Sequence, residues 1–389
     1  MPGVTWRATQ SAWVAKHAFV RARASWLGAT LLCVAACTDH PLRVSCRDCT
    51  IQLEHTVTLG SSGGPGALSS IPSAAAHDSR GRFYVVTPQM MDEAPFVFDH
   101  QGRFLEQLGR VGSGPGEYRR PAAVIVTAGD TIHLADQALA RLTVLSPTYD
   151  VVRTVTGIPS TYDFVHLADG SYVVNNSASA DLRSLHRFDA KGAFTNAFDP
   201  GSPSRRRDQS WRNTRWLAPS GESGLWSVTA FFDYTITRWD ADGTKQQELT
   251  IEAPWFPPYE RLWTPSTERP PTAEIHGLWV DAHGRLWIVG HTAARNWERG
   301  LGAPRWAEEQ WYNPVEDYGK VYQSVIEIRD AGTGALLSER HLPGSMGRLL
   351  VIAPGVLGGR RESADGWWLV DVWEVTYESA EPGEVSDSR

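Results

Sequence analysis

Apolar residues in this chain recur in short β-type runs, and no long stretch carries the 3.6-residue period of an amphipathic helix. Asp/Gly turns separate the runs, and two turn elements repeat. One is a tight turn feeding a strand, seen in Asp78–Val85, Ala168–Val174 and Asp281–Ile288. The other closes a strand on an aromatic residue, seen in Phe98–Gly102, Phe188–Gly192 and Trp239–Gly243. Glycine supplies a positive φ in such turns, and the aspartate hydrogen-bonds the backbone just ahead of it.

The two elements alternate, so each unit holds four antiparallel strands, a to d. The units span roughly residues 74–108, 122–156, 162–198, 215–251 and 275–341. A sixth, from near Gly347 to near Tyr377, has strands a, b and c but no d. The segment Ile51–Leu59 alternates cleanly and stands ahead of the first unit. Pairing it with the sixth unit closes a ring and leaves no exposed sheet edge. Repeats of about 40–60 residues favour a propeller over two sandwiches. The expected architecture is all-β, a six-bladed β-propeller over residues 50–378 whose last blade is closed by the N-terminal strand.

The segment Leu108-Gly-Arg-Val-Gly-Ser-Gly-Pro-Gly-Glu-Tyr-Arg-Arg-Pro121 resembles the inter-blade link of NHL-type six-bladed β-propeller lipoproteins of bacteria. The preceding Val97–Leu105 fits the same pattern, and Leu59–Gly66 is a shorter echo. The resemblance covers about residues 50–377, strong in the first blade and weak in the fourth and sixth. It implies a fold and an envelope location and little chemistry. Related folds include calcium-dependent lactonases and lyases, but no metal ligand of theirs aligns here residue by residue.

Composition sharpens the location. Residues 1–37 carry Arg7, Lys16, Arg21 and Arg23 and no acidic residue, then a short apolar run from Trp26 to Ala36. That run is shorter than the roughly 20 residues that span a bilayer and fits a secretory signal. Its end, Val34-Ala35-Ala36-Cys37, resembles the lipobox of bacterial lipoproteins, whose cysteine becomes the lipidated first residue. The alternative is an ordinary signal cut near Ala36, leaving Cys37 a free thiol. Residues 38–49 read as a tether, with Cys46 and Cys49 either paired or idle. The tail 379–389 is polar. Without residues 1–37 the chain holds 33 basic and 44 acidic residues, a formal −11. Such a body has no global attraction for nucleic acid or anionic lipid. Membrane attachment falls to the lipid, on what is expected to be a monomer in a bacterial cell envelope.

Strand parity places the chemistry. In an up-and-down blade the a→b and c→d turns share one end of the ring, and the b→c and d→a links share the other. The first kind are short here. The second kind include the Gly-Pro-Gly link with Arg119 and Arg120, the Asp199–Trp211 link with Arg205, Arg206 and Arg207, the Pro-rich link Glu252–Glu274 and the insertion Gly290–Lys320. Long loops on a rigid scaffold are where binding residues sit. The last two carry Trp255, Trp263, Trp297, Trp306 and Trp311. All 14 tryptophans outside residues 1–37 lie at or after Trp211. The loop tryptophans either form a stacking platform for a ligand or partner or pack one loop on the other.

In the fifth unit His276 opens strand a and His291 closes strand b. A hairpin centred between Ala282 and His283 sets His276 opposite Val289. His291 is then its diagonal neighbour on the same face, about 7–8 Å away. Such a pair suits a shared metal ion or acid–base work, with Glu274 and Asp317 available as a third group. The plainer alternative is two hydrogen-bonded histidines at a strand edge. No P-loop, nucleophile elbow or metalloprotease helix is present. The leading expectation is a lipid-anchored envelope propeller, without cofactor, that binds a small ligand or an envelope protein through its loop-rich face. The rival is a metal-dependent lactonase or lyase at the axial mouth of that face.

Overall fold

Six four-stranded antiparallel sheets follow one another along the chain in a computed structural model. It describes residues 50–87, 93–159, 161, 163–177, 183–200, 211–221, 224–307 and 310–378. The lipobox, the tether with Cys46 and Cys49, the arginines 205–207 and the tail 379–389 lie outside these residues. Blade 1 is Ala74–His77, Phe83–Val86, Phe96–Phe98 and Phe104–Gln107, and blade 2 is Pro121–Thr127, Thr131–Asp136, Arg141–Leu145 and Val151–Thr156. Blade 3 is Phe164–His166, Tyr172–Asn175, Arg183–Phe188 and Phe194–Pro200, and blade 4 is Arg215–Ser220, Gly224–Thr229, Thr235–Trp239 and Lys245–Thr250. Blade 5 is Glu274–Val280, Arg285–Ala293, Tyr322–Asp330 and Leu336–Leu342. Blade 6 is Arg348–Ala353, Val356–Glu362 and Trp368–Glu378, with Thr50–Leu59 as its fourth strand.

That fourth strand pairs antiparallel with Trp368–Glu378, from Thr50 opposite Glu378 to Leu59 opposite Val370, with one bulge between His55 and Val57. The fold is a six-bladed β-propeller with its last blade closed from the N-terminal side. Apolar side chains fill each seam between adjacent blades, which is why strands b and c read as almost continuous hydrophobic runs. Phe83–Val86 and Arg141–Leu145 are buried at every position. The seam that closes the ring joins Val85 and Phe98 of blade 1 to Leu59, Leu350 and Val370 of blade 6. Outer d strands face water, as Phe104–Gln107 and Val151–Thr156 do.

The Asp/Gly turns take their expected form. In the turns after Asp78, Asp99, Asp189, Asp240 and Asp281 the aspartate Oδ1 accepts the backbone N–H two and four residues on, at 2.8–3.0 Å. The glycine three residues on has φ between 73° and 88°.

The register of the blade 5 hairpin departs from expectation. Val289 faces Gly277, not His276, and the register shifts between Ile275 and Gly277 so that Glu274 faces His291. His276 is therefore the extra residue of a β-bulge, which re-aims its side chain.

Candidate functional site

The first strand of every blade lines a cavity of about 690 Å³. The opening residue of each such strand sits at the loop-rich rim, because every d→a link enters there. In blade 5 that residue is Glu274 and in blade 6 it is Arg348. Arg360, on strand b of blade 6, lies directly across from Arg348. The bulge brings His276 onto the same group, and His291 stands opposite Glu274.

Arg348 Nη2 donates to Glu274 Oε1 at 2.5 Å, and its Nε lies 3.3 Å from His276 Nε2. His276 Nε2 and His291 Nδ1 are 2.6 Å apart, so one imidazole donates its N–H to the other. Glu274 Oε2 is 3.7 Å from His291 Nε2. Tyr318 Oη approaches His291 Nδ1 at 3.3 Å, and the Tyr322 ring lies 4.2 Å from the His291 ring.

Burial, reinforced by the charges of Arg348 and Arg360, holds both histidines well below the usual imidazole range. They are neutral at pH 7. Burial raises the Glu274 carboxyl despite the two arginines. Burial and then Arg348 depress Arg360 to about 9. Asp163 stands at the start of blade 3 on the same cavity. Burial raises its carboxyl to about 8, even though the backbone N–H of Leu217 bonds its Oδ2 at 2.6 Å.

Ligand atoms of Glu274, His276 and His291 all lie within 4.8 Å of one another, close enough to hold a metal ion. The donor set is mixed nitrogen and oxygen, as zinc or another borderline cation would take. However, Arg348 already occupies the carboxylate and touches one imidazole. A cation placed there would face a fixed positive charge at contact distance.

The other sequence candidates scatter. Arg120 lines the cavity, while Arg119 is exposed, and the backbone N–H groups of both bond the Asp136 carboxylate. Trp255 is buried in the core, donating its indole N–H to Glu327 Oε1 at 2.6 Å. Trp297 is also buried and meets Trp263 edge-to-face at 5.9 Å. Trp255 fastens the Pro-rich link to blades 4 and 5, and the Trp263–Trp297 contact fastens it to the blade 5 insertion. Burial of Trp255 and Trp297 leaves neither ring free to stack on a ligand. Trp306 and Trp311 differ, being 59% and 65% exposed on a small hairpin of Arg305–Ala307 and Gln310–Tyr312.

Sequence reasoning missed Arg348 and Arg360 as site residues. A usable signal existed for Arg348, because it opens strand a of blade 6 just as Glu274 opens strand a of blade 5.

The fold and the polar axial mouth place the chain among six-bladed propellers with a central cavity. Residues 73–195, the span of blades 1 to 3 up to the last strand, match the family model DUF5128, described as a 6-bladed beta-propeller. Among solved structures, a member of the DUF4221 family from Bacteroides vulgatus is similar at 10% identity and TM-score 0.54, covering 85% of this chain and 99% of that one. A protein from Bacteroides fragilis assigned as exported is similar at 12% identity and TM-score 0.50, covering 84% of this chain and 95% of that one. Identities this low speak for the fold alone. No curated protein matches the sequence.

Proposed function

We propose that the protein is a binding module of a bacterial cell envelope that takes a small ligand into its axial cavity from the loop-rich face. The observation that carries this reading is the cavity of about 690 Å³ whose mouth gathers side chains from several blades. Cavities of this size, mostly apolar with a few convergent polar groups, are where small molecules bind. The Val34–Cys37 sequence supports export and lipid anchoring through Cys37, and the exported assignment of the Bacteroides fragilis neighbour is consistent with it. The acidic body argues against nucleic acid as a partner.

Thermal-shift screening of the full chain in detergent tests the reading. A stabilising small molecule whose effect disappears in Val351→Trp, which fills the channel, supports it. Stabilisers that act equally on Val351→Trp overturn it. Fatty-acid labelling tests the anchor, and label persisting in Cys37→Ser refutes it.

Metal-dependent lactonase or lyase chemistry is the second reading, and the convergence of Glu274, His276 and His291 favours it. The Arg348–Glu274 ion pair weighs against it. Elemental analysis separates the two, because only the second requires a stoichiometric ion that is lost in His276→Ala.

A further inference from the structure

Arg348 and Arg360 face each other across the first two strands of blade 6. Like charges directly opposite in a sheet repel, and both side chains are half-buried, where water screens them incompletely. Glu274 compensates Arg348. Arg360 has no such partner. Its Nε bonds the carbonyl of Arg348 at 3.1 Å, Nη1 that of Pro72 at 2.8 Å and Nη2 that of Leu349 at 3.3 Å. Among the described residues no carboxylate pairs with it. A guanidinium carries five N–H donors, so with one acceptor each Nη1 and Nη2 of Arg360 keep a donor in reserve, and the residue lines the cavity.

The carboxylate whose charge reaches Arg360 is Glu274, and its Oε1 is already bonded to Arg348. Burial first and the Arg348 charge second depress the Arg360 guanidinium. Below the rim the channel walls turn apolar, with Leu350, Ile352, Val124 and Leu278 among the lining.

We infer that the mouth is an anion site: a small molecule with an apolar body enters the channel and docks a terminal oxyanion group, carboxylate or phosphate, against Arg360 and Arg348. This inference rests on the axial-cavity reading above and assigns its ligand a chemical class. Planar guanidinium donors match both oxyanions bidentately. No bond is made or broken.

Two fluorescent probes that differ by one group test it. The anionic probe 1-anilinonaphthalene-8-sulfonate and its uncharged parent N-phenyl-1-naphthylamine share an aromatic body. With the full chain in detergent below the micellar binding range of both probes, the anionic probe should bind about tenfold more tightly, the scale of one charge-assisted contact. Arg360→Met should abolish the preference while keeping the uncharged probe, and exposed Arg119→Met should change nothing. Should Arg360→Met fail to fold, Arg348→Met serves, since it also removes one positive charge from the mouth. Equal affinities, or a preference that survives both variants, overturns the anion site while leaving the cavity reading intact. If neither probe binds, the cavity reading falls with it. Benzoate and phenyl phosphate then compete for the anionic probe. Displacement by either supports the site and tells carboxylate from phosphate, and displacement by neither overturns it.

Discussion

Glu327 is fully buried and saturated with donors. It accepts Arg329 Nε at 2.8 Å and Nη2 at 2.9 Å, Tyr234 Oη at 2.7 Å and Trp255 Nε1 at 2.6 Å. The sheet of blade 5, the sheet of blade 4 and the Pro-rich link thus meet on one carboxylate. Glu327→Leu leaves a buried guanidinium without counter-charge and should cost about 3–5 kcal/mol, read as a drop in denaturant midpoint. A cost under about 1 kcal/mol, the range of exposed pairs, would refute that role. His133 carries a pH prediction. Its Nε2 meets Thr127 Oγ1 and its Nδ1 meets Tyr172 Oη, each at 3.1 Å, beside His166 at 4.8 Å between ring centroids. Burial, then His166 and Arg153, lower it to about 3. An unfolded histidine binds its proton near pH 6.5, so below that pH the unfolded state holds more protons and stability falls with pH. From pH 6.5 down to pH 5 the loss attributable to His133 is about 1.6 kcal/mol. Chemical denaturation across that range should show a shallower acid loss in His133→Asn. An unchanged slope would exclude the assignment.

The turn is the element whose chemistry reads most directly from sequence, because an aspartate and a glycine three residues apart close it without outside help. Its tolerance to change is not local. Gly102 has φ 76°, and a Cβ there would collide with the carbonyl oxygen of Thr58 on the closing strand. Gly284 has φ 73° with nothing within 4 Å. Gly284→Ala should therefore cost only the left-handed backbone penalty of about 1–2 kcal/mol. Gly102→Ala should cost clearly more, since blade 1 must move away from Thr50–Leu59. Thermal melts of the pair give the comparison, and equal losses would show that the collision relaxes freely. The blade 5 hairpin shows the opposite case. Nothing in Glu274–Val280 marks where a bulge falls, and one residue of slip decides whether His276 or Gly277 faces Val289.

At the scale of the molecule, ring closure is the structural commitment on which the axial mouth depends. Leu59 is fully buried in the seam between blades 6 and 1. Leu59→Ala should destabilise by about 2–5 kcal/mol. Deleting residues 50–59 exposes the edge of Trp368–Glu378 and should yield aggregating protein. A monodisperse, cooperatively melting deletion variant in size-exclusion chromatography and calorimetry would count against closure as the source of stability. The blade count and the closing strand were both legible in advance, since each blade repeats the same order of turns and Ile51–Leu59 had no other partner. The mouth was legible only in part. His276 and His291 stood out as neighbours along one hairpin, with Glu274 only one of two third groups within reach, whereas Arg348 and Arg360 join them from a different blade. Trp255 and Trp297 looked available for binding because a loop sequence does not tell a packing anchor from a contact residue.

What the sequence by itself determined is the set of short-range decisions: turn chemistry, strand boundaries, the repeat and the unpaired strand that must close it. Each depends on residues within a few positions, where backbone geometry leaves few options. Only the tertiary structure decided which strand-opening residues meet at the axis. It also decided which tryptophans spend their faces on one another, and that Arg360 ends against carbonyls with no carboxylate. Those outcomes rest on residues tens to hundreds of positions apart, brought together by the closure of the ring and by a one-residue bulge.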